Sequence, residues 1–360
     1  MFAGDKTHLP GYGKNPGELL GNVEFLRQHA EEAGRLLADN RVMLDRYAAL
    51  NRYPRFLNTT PPNILMVGDP PWEDIVRARR LWKLEVAGLV AGGRIDEAID
   101  LIRQDARFWR HLVAEPRIGL IGKLISASQV ASNLQMASQL VHAYALTRIQ
   151  LTALNEVAAP LTAEERSMAG VIVDEFRQEQ QTLLTIGDPV AQERLFGGIE
   201  RGEKPTLGGR LSNFVESRFY LPMDTLNRVG AQYHRLIELD GHACDRFNAD
   251  QLAFPDQMGL SIGMLRNPVG KTLAYMSGAP LRIFTGRMCD LQGFQRLLAL
   301  QLLLHQRNIA DDQAAAFVHD AGADYADPFT GQSMQWQPQL RSLSFGAMNQ
   351  RDRDLLPWLL

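Results

Sequence analysis

The sequence predicts an all-α fold, a multi-helix array or bundle with a small C-terminal β-hairpin. Three observations carry this prediction. Apolar residues recur at helical spacing through most of the 360 residues. Proline-marked helix starts stand at Asn15-Pro16, Pro160 and Pro222. Alternation of apolar and polar residues is confined to Met334–Phe345. The composition is 45% hydrophobic and 22% charged with a formal net charge of −3, which excludes a disordered, collagenous or disulfide-scaffold chain. Near-neutral charge gives no basic footprint for nucleic acid.

Residues 1–14 are rich in Gly and Pro and read as an extended lead-in. A first helix then starts at Asn15-Pro16, and Val42–Leu50 forms another that ends before Tyr53-Pro54. Residues 54–71 form a Pro-rich connector and close a first segment, 1–71. The main helical body, 72–326, opens with Ile75–Leu89, the turn Gly92-Gly93-Arg94 and a second helix from Ile95. This hairpin resembles a single tetratricopeptide-type unit, with Gly88 as its small residue, and no second copy follows at a fixed period. A long helical segment over about 117–155 is dense in small residues (Gly119, Gly122, Ser126 to Ser128, Ala131, Ser132). Close helix packing explains them better than a gating or dimerising surface.

Pro160-Leu-Thr-Ala-Glu-Glu165 starts a helix expected to reach Ile186, with Thr162 as cap. The carboxylates Glu164 and Glu165, like Asp311 and Asp312, suit helix starts better than two-carboxylate chemistry on sugars. Residues 198–221 combine turn formers with weak periodicity and read as a mobile loop or boundary. A helix follows from Pro222 to about Asp240. Residues 248–267 are loop-like, Asn267-Pro268 starts a short helix, and Leu281–Gln306 forms a buried central helix. Asp311–Asp320 is a last short helix. The third segment, 327–360, holds the turn Asp327–Gln332 and the hairpin.

Candidate chemistry is sparse. His242-Ala-Cys244 suggests a nucleophilic cysteine, but residues two apart on a helix point away from each other. Arg287 and Asp290, three apart, read as an intrahelical ion pair or as the mouth of a pocket. His242, Arg287 and Asp290 are the candidate catalytic residues. Tyr220, Asp224, Asn227 and Arg228, at a helix start beside the 198–221 segment, are candidate binding residues, although Asp224 would itself occupy the positive helix end as a cap. No P-loop, dinucleotide fingerprint, nucleophile elbow or His-Glu-x-x-His run occurs, so no cofactor is expected. His319, Asp320 and Asp324 lack diagnostic metal-ligand spacing. Cys244 and Cys289 read as two buried free thiols, with one disulfide as the alternative. No stretch reaches the roughly 18 apolar residues of a membrane span.

Four motifs occur in order: Phe219-Tyr-Leu-Pro-Met-Asp-Thr-Leu-Asn-Arg228, Asn267-Pro-Val-Gly-Lys271, Asp290-Leu-Gln-Gly-Phe294 with Leu297–Leu302, and Asp327-Pro-Phe-Thr-Gly-Gln-Ser-Met334. They resemble a family of uncharacterised, mostly helical Gram-negative bacterial proteins. That resemblance covers most of residues 40–346. It implies one N-terminal membrane anchor, which this sequence does not show, and a body on the periplasmic side of the inner membrane. A cytoplasmic protein is the alternative. The terminal hairpin also resembles the one ending type II secretion pseudopilins, which would make Asn349, Asp352 and Asp354 candidate calcium ligands, three being too few for a good site.

The expected function is a non-catalytic periplasmic helical protein that binds a protein or cell-envelope partner, with Trp336 and Phe345 on the hairpin as further candidate contacts, although packing on the helical body explains those two side chains better. Neither nucleic acid nor, beyond an anchor, a membrane is an expected partner. The alternative is a helical hydrolase or lyase acting on an envelope component, with a pocket between helices and the 198–221 segment as a lid.

Overall fold

The structure, a computed structural model, describes residues 19–53, 56–57, 72–186, 220–240, 244, 266–346 and 358–359. The fold is all-α with a small C-terminal antiparallel sheet. The helices are α1 (Leu19–Gln28), α2 (Ala30–Asp39), α3 (Arg41–Leu50), α4 (Trp72–Ala91), α5 (Ile95–Ala114), α6 (Leu120–Ala143), α7 (Arg148–Leu154), α8 (Ala163–Arg166), α9 (Ala169–Ile186), α10 (Pro222–Asp240), α11 (Pro268–Gln306) and α12 (Asp311–Asp320). The strands are β1 (Gln335–Gln337), β2 (Ser342–Ser344) and β3 (Trp358–Leu359), in the order β1-β2-β3. Trp336 pairs with Leu343 in the first ladder, and Leu343 with Trp358 in the second. The third strand has no counterpart in the sequence reading, because two residues are too few to show alternation.

Two compact units divide the chain. One takes in the described parts of Met1–Leu57, Pro70–Arg166 and Arg287–Leu360, and the other those of Ser167–Gly286. The helical body 72–326 is therefore shared between them.

In the first unit α4 and α5 form the expected hairpin. Its turn closes with Gly93 at φ 74°, the Arg94 N–H donating to Leu89 O and the Gly93 N–H to Val90 O. That pair of bonds is a Schellman ending, which needs a residue at home in left-handed geometry. Gly88 faces open space, so it does not serve the close packing a tetratricopeptide unit would ask of it. Helix α6 packs along α5 and α1. A Cβ at Gly122 would lie 2.6 Å from the Trp72 ring and 2.7 Å from Ile118, so the small residue there is a packing requirement. The Gln139 carboxamide of α6 accepts from the first amides of α1, Leu19 at 2.6 Å and Leu20 at 3.3 Å. The C-terminal half of α11 is almost wholly buried, with Leu297, Leu298, Leu300 and Leu302 at 1% exposure or less.

Two expectations are corrected. The helix starting at Thr162 does not run to Ile186. Thr162 and Glu165 do form a capping box, the Glu165 N–H donating to Thr162 Oγ1 and the Thr162 N–H to the Glu165 carboxylate. However, the helix ends at Arg166 and restarts at Ala169. The restart is capped by Asp240, which accepts from the Met168 N–H at 2.7 Å, the Ala169 N–H at 3.1 Å and the Ser167 hydroxyl at 2.8 Å. A cap more than seventy residues away leaves no local signal. Secondly, Asn267-Pro268 does not open a short helix separate from Leu281–Gln306. The two are one helix of 39 residues that continues through Pro280.

Candidate functional site

The residues that carry the sequence motifs hold the chain together in pairs. In the second unit Asn267 is 2% exposed and sits at φ 66°. Its Oδ1 accepts from the Leu221 N–H at 2.9 Å and the Gly270 N–H at 3.1 Å. Its Nδ2 donates to Asp224 at 2.9 Å, Thr225 Oγ1 at 2.9 Å and Leu221 O at 3.3 Å. Asn267 thus clasps the start of α10 to the start of α11. A Cβ at Gly270 would stand 1.9 Å from Thr225 Oγ1, so the glycine belongs to the same clasp. The hydrogen bond from Asn267, assisted by Arg228, holds the Asp224 carboxyl below its ordinary range despite partial burial. Arg228 Nε lies 3.2 Å from Asp224 Oδ2. The Tyr220 hydroxyl donates to Leu183 O at 2.8 Å, and burial, with Glu179 adding to it, pushes its pKa up to about 12. Of the four predicted binding residues, Tyr220, Asp224 and Arg228 are thereby committed within the chain, and Asn227 is exposed.

In the first unit Asp327 performs a similar task. Its carboxylate accepts from the Phe329 N–H at 2.8 Å and the Gly346 N–H at 3.0 Å, and its own N–H donates to Gln332 O. Gly331 takes φ 67° to close the turn. Phe345 stacks on Phe329 and meets Phe294 edge-on, with ring centroids 6.3 and 5.4 Å apart. A Cβ at Gly293 would fall 2.2 Å from the Phe345 ring. Phe345 is 7% exposed, so its ring belongs to the core and is not offered to a partner, as the hairpin reading required. Trp336 is half-buried on the edge strand β1.

Arg287 is exposed and Asp290 is 3% exposed, although both lie on α11. His242, Asn349, Asp352 and Asp354, and the 198–219 part of the lid segment, lie outside the described residues. His319 is exposed and faces Asp320 at 2.9 Å. Among the described residues no three His, Cys, Asp or Glu side chains gather as a metal site. Cys244 and Cys289 are both disulfide-bonded, which corrects the expectation of free thiols.

Sequence reasoning missed the ionic centre of the first unit. Arg79 and Asp105, each 1% exposed, form an ion pair at 2.9 Å between α4 and α5. Asp105 also accepts from Tyr47 Oη at 2.5 Å and Asn133 Nδ2 at 2.8 Å, and Trp109 Nε1 donates to Tyr47 Oη at 2.9 Å. Arg79 reaches Gln129 Oε1 at 2.6 Å and Asn133 Oδ1 at 2.5 Å, and lies over the Trp82 and Trp109 rings. Burial, followed by the Asp105 charge, pushes the Tyr47 hydroxyl well above its ordinary pKa, so it remains the donor. Burial and then the Arg79 charge push Lys83 well down. A second buried cation, Lys123, donates to Val113 O and to Glu165 O at 3.0 Å, joining the end of α5 to α8. Arg110 grips Glu165 through two bonds of 2.6 and 2.7 Å, and Arg103 and Arg107 share Glu156. These networks are internally satisfied and structural in kind.

A different region is open. Where α6 and α11 both end, a cleft of about 460 Å³ is lined by Val141 to Leu146, Arg148, Leu151, His305, Gln306 and Asn308. Its lining includes two histidines and an arginine and no carboxylate. A smaller cavity of about 120 Å³ adjoins through His305 and Asn308 and is bordered by the Asp311–Arg341 ion pair. Asn308 takes φ 51° so that the Ile309 N–H bonds Leu304 O and the Asn308 N–H bonds His305 O, the ending already seen at Gly93. On the other wall the chain leaves α6 extended at Tyr144, with φ −130° and ψ 140°, and enters α7 through a capping box formed by Thr147 and Gln150. Between them the Ala145 and Leu146 amides have no hydrogen-bond partner among the described residues, and neither do the side chains of Arg148, His305 and Asn308. Burial, with Arg341 and His142 nearby, lowers the His305 pKa from its ordinary value.

Compared with protein-family models, curated proteins and solved structures, the chain matches none. The resemblance noted from the sequence rests on the four motifs themselves. Their best-defined residues hold the fold together; none of them lines this cleft.

Proposed function

We propose that the protein is a non-catalytic helical body on the periplasmic side of the inner membrane, binding a protein or cell-envelope partner through the cleft between the ends of α6 and α11. The observation that carries this reading is the contrast in commitment. The ionic networks of α4 to α8 and the Asn267 and Asp327 clasps are satisfied within the chain, whereas Arg148, His305, Asn308 and two adjacent amides line an open cleft with no partner among the described residues. Arg148, Asn308 and Ala145 are exposed and His305 and Leu146 half-buried, so what supports binding there is the gathering of several donors uncommitted to the rest of the chain in one concavity. The compartment is supported by both cysteines being disulfide-bonded, since such bonds persist where the surroundings are oxidising.

Thiol trapping after cell fractionation tests the compartment. Protein from gently released periplasm or washed envelope should take up no maleimide before reduction and two after it. Two labels on unreduced protein recovered from the cytosol would overturn the placement. The alternative, a hydrolase or lyase acting on an envelope component, is favoured by one feature: burial keeps the His305 imidazole neutral near pH 7, the form a general base needs. It predicts turnover that vanishes in His305→Gln, where the binding reading predicts none to lose.

A further inference from the structure

We propose that the cleft is an oxyanion site, taking a carboxylate or phosphate group carried on a small polar molecule or chain end. The inference rests on the reading of the cleft as a binding surface and adds the chemistry of what it holds. Three features converge. Arg148 presents a guanidinium fork suited to paired oxygens, and among the described residues no acid is paired with it, unlike Arg103, Arg107 and Arg110. His142 and His305 enter from two other helices. The extended stretch between α6 and α7 adds the Ala145 and Leu146 backbone amides, which lack a hydrogen-bond partner among the described residues and so leave donors at the cleft edge.

The helix ends work against an anion, because the C-terminal dipole is negative. That opposition is blunted here: Leu140 O, Leu303 O, Leu304 O and His305 O each already accept a backbone N–H. The 460 Å³ cleft has room for an anionic group carried on a stem. The charged groups around His305 are His142 on α6, Arg148 on α7, and Arg341 with its partner Asp311. Burial first, and then the charges of Arg341 and His142, disfavour protonation of His305 in the empty cleft, and a bound anion favours it. Affinity therefore rises as pH falls, and by linkage a bound anion raises the His305 pKa.

The test is a titration followed by amide and imidazole NMR on the whole chain, with three probes: inorganic phosphate, N-acetylglycine, and neutral N-acetylglycinamide as control. The expected result is saturable movement of the 145, 146 and 148 amides with an anionic probe and not with the neutral one. Whichever anion binds more tightly identifies the natural group as phosphate or carboxylate. Affinity should be severalfold higher at pH 6 than at pH 8, the His305 titration should move upward under saturating anion, and Arg148→Gln should weaken binding about tenfold. Arg148 is exposed, so this variant leaves folding intact. Equal response to the neutral probe would overturn the oxyanion chemistry while leaving a binding cleft. No response to any probe would also overturn it. The binding reading is then decided separately by cross-linking from the cleft rim.

Discussion

Asp105→Ala is expected to destabilise the protein by about 3–5 kcal/mol, the range for removing one partner from a buried ion pair. Asp105 accepts from three groups at once: the Arg79 guanidinium, the Tyr47 hydroxyl and the Asn133 amide. Its loss leaves Arg79 at 1% exposure with only neutral acceptors in Gln129 and Asn133. Tyr47, buried against α5 and hydrogen-bonded by Trp109, loses its acceptor as well. The double variant Arg79→Met with Asp105→Leu should cost markedly less than Asp105→Ala alone, because it removes both charges together and fills similar volume. Denaturant midpoints of the two variants decide the matter. An Asp105→Ala loss below about 1 kcal/mol would mean that the pair is not the buried keystone described here.

Asn267→Ala is expected to cost about 3 kcal/mol, and Asn267→Gly less by about 1. Alanine fails twice at this position. It gives up five side-chain hydrogen bonds, four reaching the start of α10 and one capping α11 at Gly270, and it must hold φ 66°, where its Cβ is crowded. Glycine fails only in the first respect. The ordering Asn above Gly above Ala separates the clasp from the backbone requirement. If glycine and alanine were equal, the left-handed conformation would contribute nothing. If glycine matched asparagine, the side-chain bonds would be the part without effect.

Much of the fold was readable where the cause is local. Pro222 opens α10 and the Gly93 turn separates α4 from α5 because a proline or a glycine acts within a few residues of itself, and Asp311 and Asp312 suit the first turn of α12. The misreadings come from remote causes. The break after Arg166 depends on the Asp240 carboxylate, and the continuity of α11 through Pro280 overrides a local breaker. Arg79 and Asp105 did leave a faint mark. Asp105 falls three after Ile102 and four before Trp109, inside the apolar register of α5, where a carboxylate has no reason to be unless it is paired. The cleft left none. His142 and His305 are each unremarkable on their own helices, and only the shared ending of α6 and α11 makes them neighbours.

Motif residues were legible as special but misread in kind. Tyr220, Asp224 and Arg228 stand out at a helix start and suggest a ligand, yet the partner they await is Leu183 for the tyrosine and Asn267 for the aspartate, both from the same chain. Phe345 likewise joins the terminal hairpin to α11 through Phe294, and Asp327 and Gly331 close the turn that precedes it. Deleting 327–346 would therefore strip the core and could not isolate a binding role for the hairpin.

A partner held in the proposed cleft between the ends of α6 and α11 would lie within reach of the rim beside Arg148. Ile149, next in sequence to the cleft residue Arg148 and 82% exposed, is not part of the lining and offers a place to ask without disturbing it. A photo-crosslinking residue at Ile149, in the protein expressed in its own host, should yield a discrete adduct whose formation is suppressed by Arg148→Gln. The same residue at Val42, also exposed, should yield none. Equal labelling from both positions, or an adduct at Ile149 indifferent to Arg148, would contradict the account.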